Sequence, residues 1–325
     1  MSSNVRILVP AIDWTRPAGG VRKLYRHVDV LNANGIEALV MHQQPGFRCT
    51  WFENNTRVSS FEEVWPPRQS DIILVPEILA WQFVGLSPST PKIIFNQNAY
   101  QTFAWRTDQY NVNPYLEPDF RATIVVSHDS QTYLRHAFGH QPVFRIRYSI
   151  DPRVFYFEPV KKRQIAYMPR KKEKDAAQVL AILKYRNALA GYEVIKIEDK
   201  TEAQTAQILR ESAIFLSFST QEGWGLPPME AMACGCLTIG YDGRGGAEYM
   251  KEPFATPIPP EDVPRFAAAT EHAMRAIQSH PAEVLERTRR ASQFIHDSYS
   301  PEIEARDILA TWKQIESVLN TPRTK

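Results

Sequence analysis

Residues 217–235 read SFSTQEGWGLPPMEAMACG, and this stretch is the most informative part of the chain. The apolar segment from Ile214 to Ser217 leads into it as a strand, two glycines follow, and Pro227 suits the start of a helix. Glycines let the backbone approach a ligand, and a helix N-terminus attracts anions through its amides and its dipole. Because ligands of open α/β sheets bind beyond the carboxyl ends of strands, the stretch predicts a site for a phosphate-bearing ligand.

Two glutamates bracket this glycine loop. Glu222 precedes the glycines, and Glu230 follows eight residues later, about one turn into the helix. Ionised carboxylates only accept hydrogen bonds, which suits ligands rich in hydroxyl groups. A nucleotide sugar, with phosphates in the middle and hydroxyls at both ends, matches this order. Either glutamate alone is more readily interpreted as a surface charge, but both together with the glycines and the proline favour a site.

Strands and helices alternate on both sides of this stretch, which indicates an α/β fold with buried parallel sheets. The alternation restarts after Asp151, so the chain is expected to contain two such units. We place a first domain at 1–150 and a second at 151–300. A final helix in 301–325 either crosses back to the first domain or packs on the second. Strands are expected at 6–9, 38–41, 72–75, 93–95, 123–126, 143–146, 165–168, 194–197, 214–217 and 237–239.

The composition is that of an ordinary globular protein. The 325 residues are 43% apolar and 23% charged, which excludes a disordered, collagen-like or coiled-coil chain. A formal charge of +2 argues against a dedicated binder of duplex nucleic acid. No apolar run reaches the ~20 residues that cross a bilayer, and the N-terminus lacks a signal peptide's apolar stretch. Cys49, Cys234 and Cys236 show no metal or redox spacing and are expected to be buried thiols, which fits a cytoplasmic protein.

A family resemblance starts from the string EGWGLPPMEAMACG at residues 222–235. It resembles the Glu-x7-Glu motif of retaining GT-B glycosyltransferases in the large family-4 group. The likeness is specific over residues 145–250 and looser over 1–145, and it implies two Rossmann-like domains facing across a cleft. The other segments that resemble the family are Gly19–Arg22 (its glycine-rich first loop), Tyr148–Asp151 (the joint between domains), Tyr167–Lys171 (a basic pair for the diphosphate) and Gly243–Glu248 (the turn closing the donor pocket).

The resemblance implies roles for individual residues. Glu222 would bind the hydroxyls of the donor sugar, and Glu230 the ribose hydroxyls of the nucleotide. Arg170, together with either Lys171 or Lys174, would neutralise the departing diphosphate, because preorganised cations stabilise a growing negative charge. The catalytic candidates are thus Arg170, Lys171 and Glu222. The remaining donor-binding candidates are Gly19, Gly20, Lys174, Gly223, Trp224, Gly225, Leu226, Glu230 and Glu248.

The same resemblance implies an enzyme without a cofactor, whose donor substrate is a nucleoside-diphosphate sugar. The sequence has no Asp-x-Asp in a suitable context and no clustered histidines, so we expect transfer without a metal. The acceptor carries a hydroxyl, but its class stays open: a glycan, a lipid-linked sugar, a metabolite, a protein or a modified nucleobase. Residues 161–163 (KKR) leave open a peripheral contact with the inner face of a membrane, worth about 3 kcal/mol for three charges.

The acceptor side is less defined than the donor side. The family often places a histidine after a central strand, where this chain reads Phe-Asn-Gln-Asn at 95–98. Asn96 and Asn98 are candidates for orienting an acceptor hydroxyl, although neither is a base at neutral pH. His128 and Glu77 each follow a strand and are more readily interpreted as packing or capping residues.

Two other function classes fit less well. A subunit that binds a sugar nucleotide without catalysis stays as the alternative, although Glu222, Glu230 and Arg170 are all intact. An NAD-dependent oxidoreductase needs G-x-G-x-x-G after the first strand, and this chain has TRPAGG at residues 15–20. Glycosyl transfer is therefore the function we expect.

Overall fold

The computed structural model describes residues 5–103, 113–139, 141–169 and 171–321. The chain divides into two compact units: unit 1 is Met1–Tyr148 with Glu302–Lys325, and unit 2 is Ser149–Pro301. Among the described helices, none is long and apolar enough to cross a bilayer.

Unit 1 is built on a parallel sheet. Its described strands are β1 (Arg6–Pro10), β2 (Glu37–His42), β3 (Val58–Ser60), β4 (Ile72–Pro76), β5 (Lys92–Asn96), β6 (Phe120–Val125) and β7 (Val143–Arg145). They run in the order β3-β2-β1-β4-β5-β6-β7, and all pairs are parallel. Every residue of β1, β4 and β5 is buried, as expected of a parallel sheet covered on both faces. The α-helices among its described residues are α1 (Gly19–Ala33), α2 (Phe61–Val64) and α3 (His128–Ala137).

Unit 2 repeats this plan with a smaller sheet. Its described strands are β8 (Lys162–Tyr167), β9 (Glu193–Lys196), β10 (Ser212–Glu222), β11 (Leu237–Arg244) and β12 (Thr256–Pro257), in the order β12-β11-β10-β8-β9. The helices are α4 (Glu173–Tyr185), α5 (Glu202–Glu211), α6 (Leu226–Ala233), α7 (Val263–Ser279) and α8 (Pro281–Ser298). A capping box starts α5, in which Thr201 and Gln204 each accept the other's backbone amide. The long central strand β10 carries the chain to the site described below.

The last helix, α9 (Pro301–Asn320), belongs to unit 1 beyond its first residue. Its apolar face is buried at Ile308, Trp312 and Ile315. Trp312 Nε1 donates to His27 Nε2 on α1 over 2.8 Å. Burial lowers the pKa of His27 to about 4, so the neutral ring can accept this bond. The buried pair of Lys23 and Glu304, 2.9 Å apart, ties the same two helices together.

The structure confirms the α/β fold class with two parallel sheets. All ten expected strands are present, most of them a residue or two longer than expected. The longest extension is β10, which runs to Glu222 rather than ending at Ser217. Cys49, Cys234 and Cys236 are buried free thiols, as expected.

Candidate active site

Glu222 is the last residue of β10 and stands at the carboxyl edge of the unit 2 sheet. The ladder between β10 and β11 is irregular between Ser219 and Glu222, and Gln221 takes a left-handed conformation with φ 47°. Such a bulge re-aims the side chains that follow it. The Glu222 side chain is 22% exposed, so its carboxylate is accessible to a ligand.

The glycine loop then turns the chain into α6. Gly225 adopts φ 82° and ψ 71°, a left-handed conformation that favours glycine, directly before Leu226 starts the helix. The sequence predicted a helix start rich in free amides, and the structure corrects this in part. Pro227 and Pro228 occupy the first turn and carry no N–H, so the anion-facing donors are reduced to the amides around them.

Glu230 lies on α6 and is 6% exposed, which is unusual for a carboxylate. Its charge acts on Tyr249, which is fully buried. Burial raises the pKa of Tyr249 well above its usual range, and the charges of Glu222, Asp242 and Glu230 raise it further. Both glutamates of the motif therefore lie within electrostatic range of one hydroxyl.

Tyr249 and a second glycine turn hold the first loop in place. The Tyr249 hydroxyl donates to the carbonyl oxygens of Trp224, at 3.2 Å, and of Gly225. The turn at Gly245–Glu248 packs so closely that a Cβ on Gly245 would lie 2.1 Å from the Gly223 oxygen. Tyr249 was missed by the sequence reasoning, and its position directly after the Gly-Gly-Ala-Glu segment is the signal that could have found it.

Trp224 stabilises the loop from within. Its side chain is 2% exposed, packs edge-on against Tyr299 and points its Nε1 at the Met229 sulfur over 3.3 Å. A buried indole does not reach a ligand, so any donor contact of Trp224 comes from its backbone amide, as the resemblance implies. Glu248 is half-buried in the turn before Tyr249.

A cation stands beside the exposed glutamate. Lys171 Nζ lies 2.9 Å from Glu222 Oε1 and donates to the carbonyl oxygens of Thr220 at 3.3 Å and Gln221 at 3.2 Å. The sequence left Lys171 and Lys174 as alternatives, and the structure brings Lys171 to the glutamate while Lys174 is exposed on the first turn of α4. Arg170 lies outside the described residues.

Lys172 pairs with an exposed carboxylate on the surface of unit 2. Its Nζ lies 2.7 Å from Glu261 Oε1, and this bond raises the pKa of Lys172.

The acceptor candidates lie in unit 1 and differ in how they are placed. Asn96 is fully buried at the end of β5, and its Nδ2 donates to Thr102 Oγ1 at 2.9 Å and to Tyr115 OH at 2.7 Å. These bonds commit Asn96 to the core, so the structure does not present it to an acceptor. Asn98 caps a short 3-10 turn, accepting from the Tyr100 amide over 3.1 Å.

The remaining unit 1 candidates stand at helix starts and strand ends. Gly19 and Gly20 begin α1, and a Cβ on Gly20 would lie 3.2 Å from Gln97 Oε1. His128 is exposed as the first residue of α3, whose capping residue is Ser127. Glu77 follows β4 and accepts from the Gln97 amide over 3.1 Å. Burial raises the pKa of Glu77 to about 7, although the amides of Gln97 and Asn98 partly oppose this.

Comparisons with known proteins point to one class of enzyme. Residues 182–291 match the family model for glycosyl transferases group 1. An alpha-1,6-glucosyltransferase of Actinobacillus pleuropneumoniae is 29% identical over 257 residues, which cover 75% of each chain. These two findings support a glycosyltransferase.

Solved structures show the fold. Anabaena Alr3699/HepE in complex with UDP-glucose aligns with a TM-score of 0.71 at 13% identity, covering 95% of this chain and 99% of that one. A sucrose-phosphate synthase from Thermosynechococcus elongatus aligns with a TM-score of 0.67 at 13% identity, over 97% of this chain and 100% of that one. At such identities the likeness establishes the architecture alone, which is the GT-B fold.

Proposed function

We propose that this protein is a retaining glycosyltransferase of the family-4 group, which moves a hexosyl unit from a nucleoside-diphosphate sugar to a hydroxyl acceptor without a metal. The observation that carries the proposal is the juxtaposition of Lys171 and Glu222, 2.9 Å apart at the carboxyl edge of the unit 2 sheet. The buried Glu230 lies within electrostatic range of the same Tyr249 hydroxyl as Glu222. A cation beside a partly exposed carboxylate, directly before a glycine loop, matches a ligand that carries both hydroxyls and phosphates.

Donor binding on this proposal requires an exchange of partners. Without a ligand, Lys171 neutralises Glu222. The hydroxyls of a bound sugar replace the ammonium group at Glu222, which frees Lys171 to turn towards the diphosphate. Glu230 accepts hydrogen bonds from the ribose, and the amides of the glycine loop face the phosphates.

The chemical step breaks the bond between the anomeric carbon and the phosphate oxygen. The electron pair leaves with the nucleoside diphosphate, whose added charge is stabilised by Lys171, by the adjacent Arg170 and by the loop amides. The acceptor hydroxyl forms the new bond on the same face, and its proton passes to the departing phosphate oxygen. These protein groups supply the positive charge, which is why the proposal needs neither a metal nor a cofactor.

UDP-glucose is the first donor to test. The similar Actinobacillus protein is named as a glucosyltransferase, and the structurally similar Anabaena protein was solved with UDP-glucose.

The test measures UDP release from UDP-glucose by the full chain, with the product's anomeric configuration read by proton NMR. Replacing Lys171 by Met should lower kcat about 10²- to 10³-fold, the usual loss for one such donor. Lys162→Met is the matched control, since Lys162 also pairs with a glutamate at 2.7 Å but starts β8 at the opposite edge of the sheet. Unchanged activity in Lys171→Met, an inverted product or full inactivation by EDTA would each contradict the corresponding part of the proposal.

A further inference from the structure

A long segment without regular structure follows β2 in unit 1. Residues 43–57 contain neither helix nor strand, although they connect two neighbouring strands of the same sheet. Connections of this length inside a compact domain are usually functional. Segment 43–57 leaves the sheet beside segment 11–18, because Pro10 at the end of β1 is paired with Met41 near the end of β2. Both segments therefore lie at the carboxyl edge, where ligands of open α/β sheets bind.

A chain of buried hydrogen bonds fixes these two segments together. His42 is fully buried and its Nδ1 lies 2.8 Å from Asp13 Oδ1, while its Nε2 lies 2.6 Å from the Tyr25 hydroxyl. The Tyr25 oxygen in turn accepts from the Cys49 amide over 3.1 Å. Burial lowers the pKa of His42, so the ring is neutral, donates from Nδ1 to Asp13 and accepts at Nε2 from Tyr25.

Asp13 and Asn54 make further hydrogen bonds that fix segment 43–57. Asp13 also accepts from the amides of Gln43 at 3.0 Å and Gln44 at 2.8 Å. Asn54 donates to the Cys49 carbonyl over 3.0 Å and accepts from Arg48 over 2.7 Å. These bonds fix the start and the middle of the segment before any ligand arrives, and such preorganisation favours binding.

Each of these two segments carries a tryptophan that is at least partly exposed. Trp14 is 47% exposed, and the Nε1 of the half-buried Trp51 donates to the Trp14 carbonyl over 3.2 Å, so the two residues are adjacent. Trp51 packs on Phe52 with ring centroids 4.6 Å apart. Gln43 and Gln44 are exposed on the same segment as Trp51. Aromatic side chains together with a small number of polar groups are typical of ligand sites.

We propose that Trp14 and Trp51 form a binding surface for a saccharide acceptor. The apolar C–H face of a pyranose packs on an indole ring, while its hydroxyls need donors and acceptors such as the two glutamine amides. Segment 11–18 leads directly into Gly19 and Gly20, which the family resemblance gives to the donor. That the bound saccharide is an acceptor rests on the proposed function. The inference narrows the acceptor class to a carbohydrate.

The experiment titrates the full chain with maltose, cellobiose, lactose and gentiobiose by intrinsic tryptophan fluorescence, and measures transfer from UDP-glucose to each. Trp14→Ala and Trp51→Ala should each weaken saccharide binding and raise the acceptor KM at least tenfold, while Phe at either position restores most of the affinity. The KM for UDP-glucose and the slow hydrolysis of donor without acceptor should not change. Tyr185→Ala is the control, since Tyr185 is 89% exposed in unit 2.

The outcomes separate this inference from the proposed function. The saccharide titration needs no donor, so a chain that binds disaccharides through Trp14 but never cleaves UDP-glucose would overturn only the enzyme assignment. Wild-type protein that binds none of the four saccharides would overturn the saccharide surface, as would tryptophan variants with unchanged acceptor KM. Loss of binding to phosphatidylglycerol vesicles in the same variants, with saccharide affinity intact, would assign the surface to a membrane instead.

Discussion

At the scale of single residues, the candidate site depends on close backbone packing as much as on charge. Gly245 lies against the Gly223 carbonyl with no room for a side chain, and Tyr249 clamps the carbonyls of Trp224 and Gly225. The loop between Glu222 and Glu230 is therefore held in one shape before a ligand binds, as electrostatic stabilisation of a transition state requires.

Replacing Gly245 by Ala should displace this loop. The new Cβ would meet the Gly223 oxygen at 2.1 Å, a distance that only a backbone shift relieves. We expect kcat/KM for donor cleavage to fall at least tenfold, since a misplacement of about 1 Å costs about 10²-fold. Gly85→Ala is the control, because Gly85 has open space around it and bears only the strain of its φ of 75°. Equal activity of the two variants would show that the loop tolerates movement.

The choice of residues at this scale was only partly predictable. The spacing of Glu222 and Glu230 and the glycines around them predicted the candidate site from sequence. That Lys171 rather than Lys174 lies against Glu222 was not predictable, because it depends on how the chain leaves β8. Asn96 was a poor candidate for a reason invisible in sequence, namely that Thr102 and Tyr115 meet it in the core.

At the scale of elements, the sequence predicted the positions of the longer strands correctly, but not the residues at which the strands end. The strands β1, β4 and β5 are buried along their whole length and largely apolar, which is the pattern typical of a parallel sheet. The strands β3 and β12 were missed, because three and two residues are too few to show a pattern. The fixed path of segment 43–57 was not predicted, since it depends on hydrogen bonds to Asp13, Tyr25 and His42 elsewhere in the chain.

The end of β4 carries a pH-dependent contribution to stability. Glu77 has a pKa of about 7 in the folded protein against an ordinary value of 4.5, mainly because of burial, and it lies near the hydroxyls of Tyr115 and Tyr148. Between about pH 4.5 and pH 7, the Glu77 carboxyl therefore keeps its proton in the folded state but has lost it in the unfolded state. Stability from this group is fully present below about pH 4.5 and is lost as pH rises to about 7, by about 3 kcal/mol at most.

Glu77→Gln should remove this dependence. The amide keeps an acceptor for the Gln97 N–H and carries no charge, so the variant should be more stable than the wild type at pH 8 and similar at pH 4.5. Urea unfolding at both pH values measures the difference, with the exposed Glu53→Gln as a control. A gap between wild type and Glu77→Gln that is the same at both pH values would contradict the assignment.

At the scale of the whole molecule, the chain leaves unit 1 at residue 148 and returns to it at 302. Unit 2 is consequently an insertion whose two ends meet, since the Ile150 amide donates to the Tyr299 carbonyl over 3.0 Å. The contacts of Trp312 and Glu304 pack α9 on α1, so α9 covers the α1 surface and completes unit 1. The sequence left the placement of α9 open, because an apolar stripe does not say which surface covers it.

This organisation predicts that residues 149–301 fold alone. The fragment contains a complete sheet, its own core and adjoining ends, which are the features of an independent domain. Circular dichroism and a cooperative thermal transition check the expectation. The complementary fragment 1–148 should unfold more readily than the same unit with α9 attached, because it exposes the α1 surface that Trp312 covers. A fragment 149–301 without a cooperative transition would contradict the division into units.

The measurement that bears most directly on the proposed donor site is calorimetric titration of the full chain with UDP-glucose, alongside GDP- and dTDP-glucose, in the wild type and in Glu230→Gln. A hydrogen bond to a charged group is worth about 1.5–3 kcal/mol, so the wild type should bind one of these donors and Glu230→Gln should bind it about 10- to 100-fold more weakly. Glu211→Gln, on the far side of unit 2 from the loop, should bind as the wild type does. Absence of heat with every activated sugar, or equal affinity in Glu230→Gln, would contradict the account.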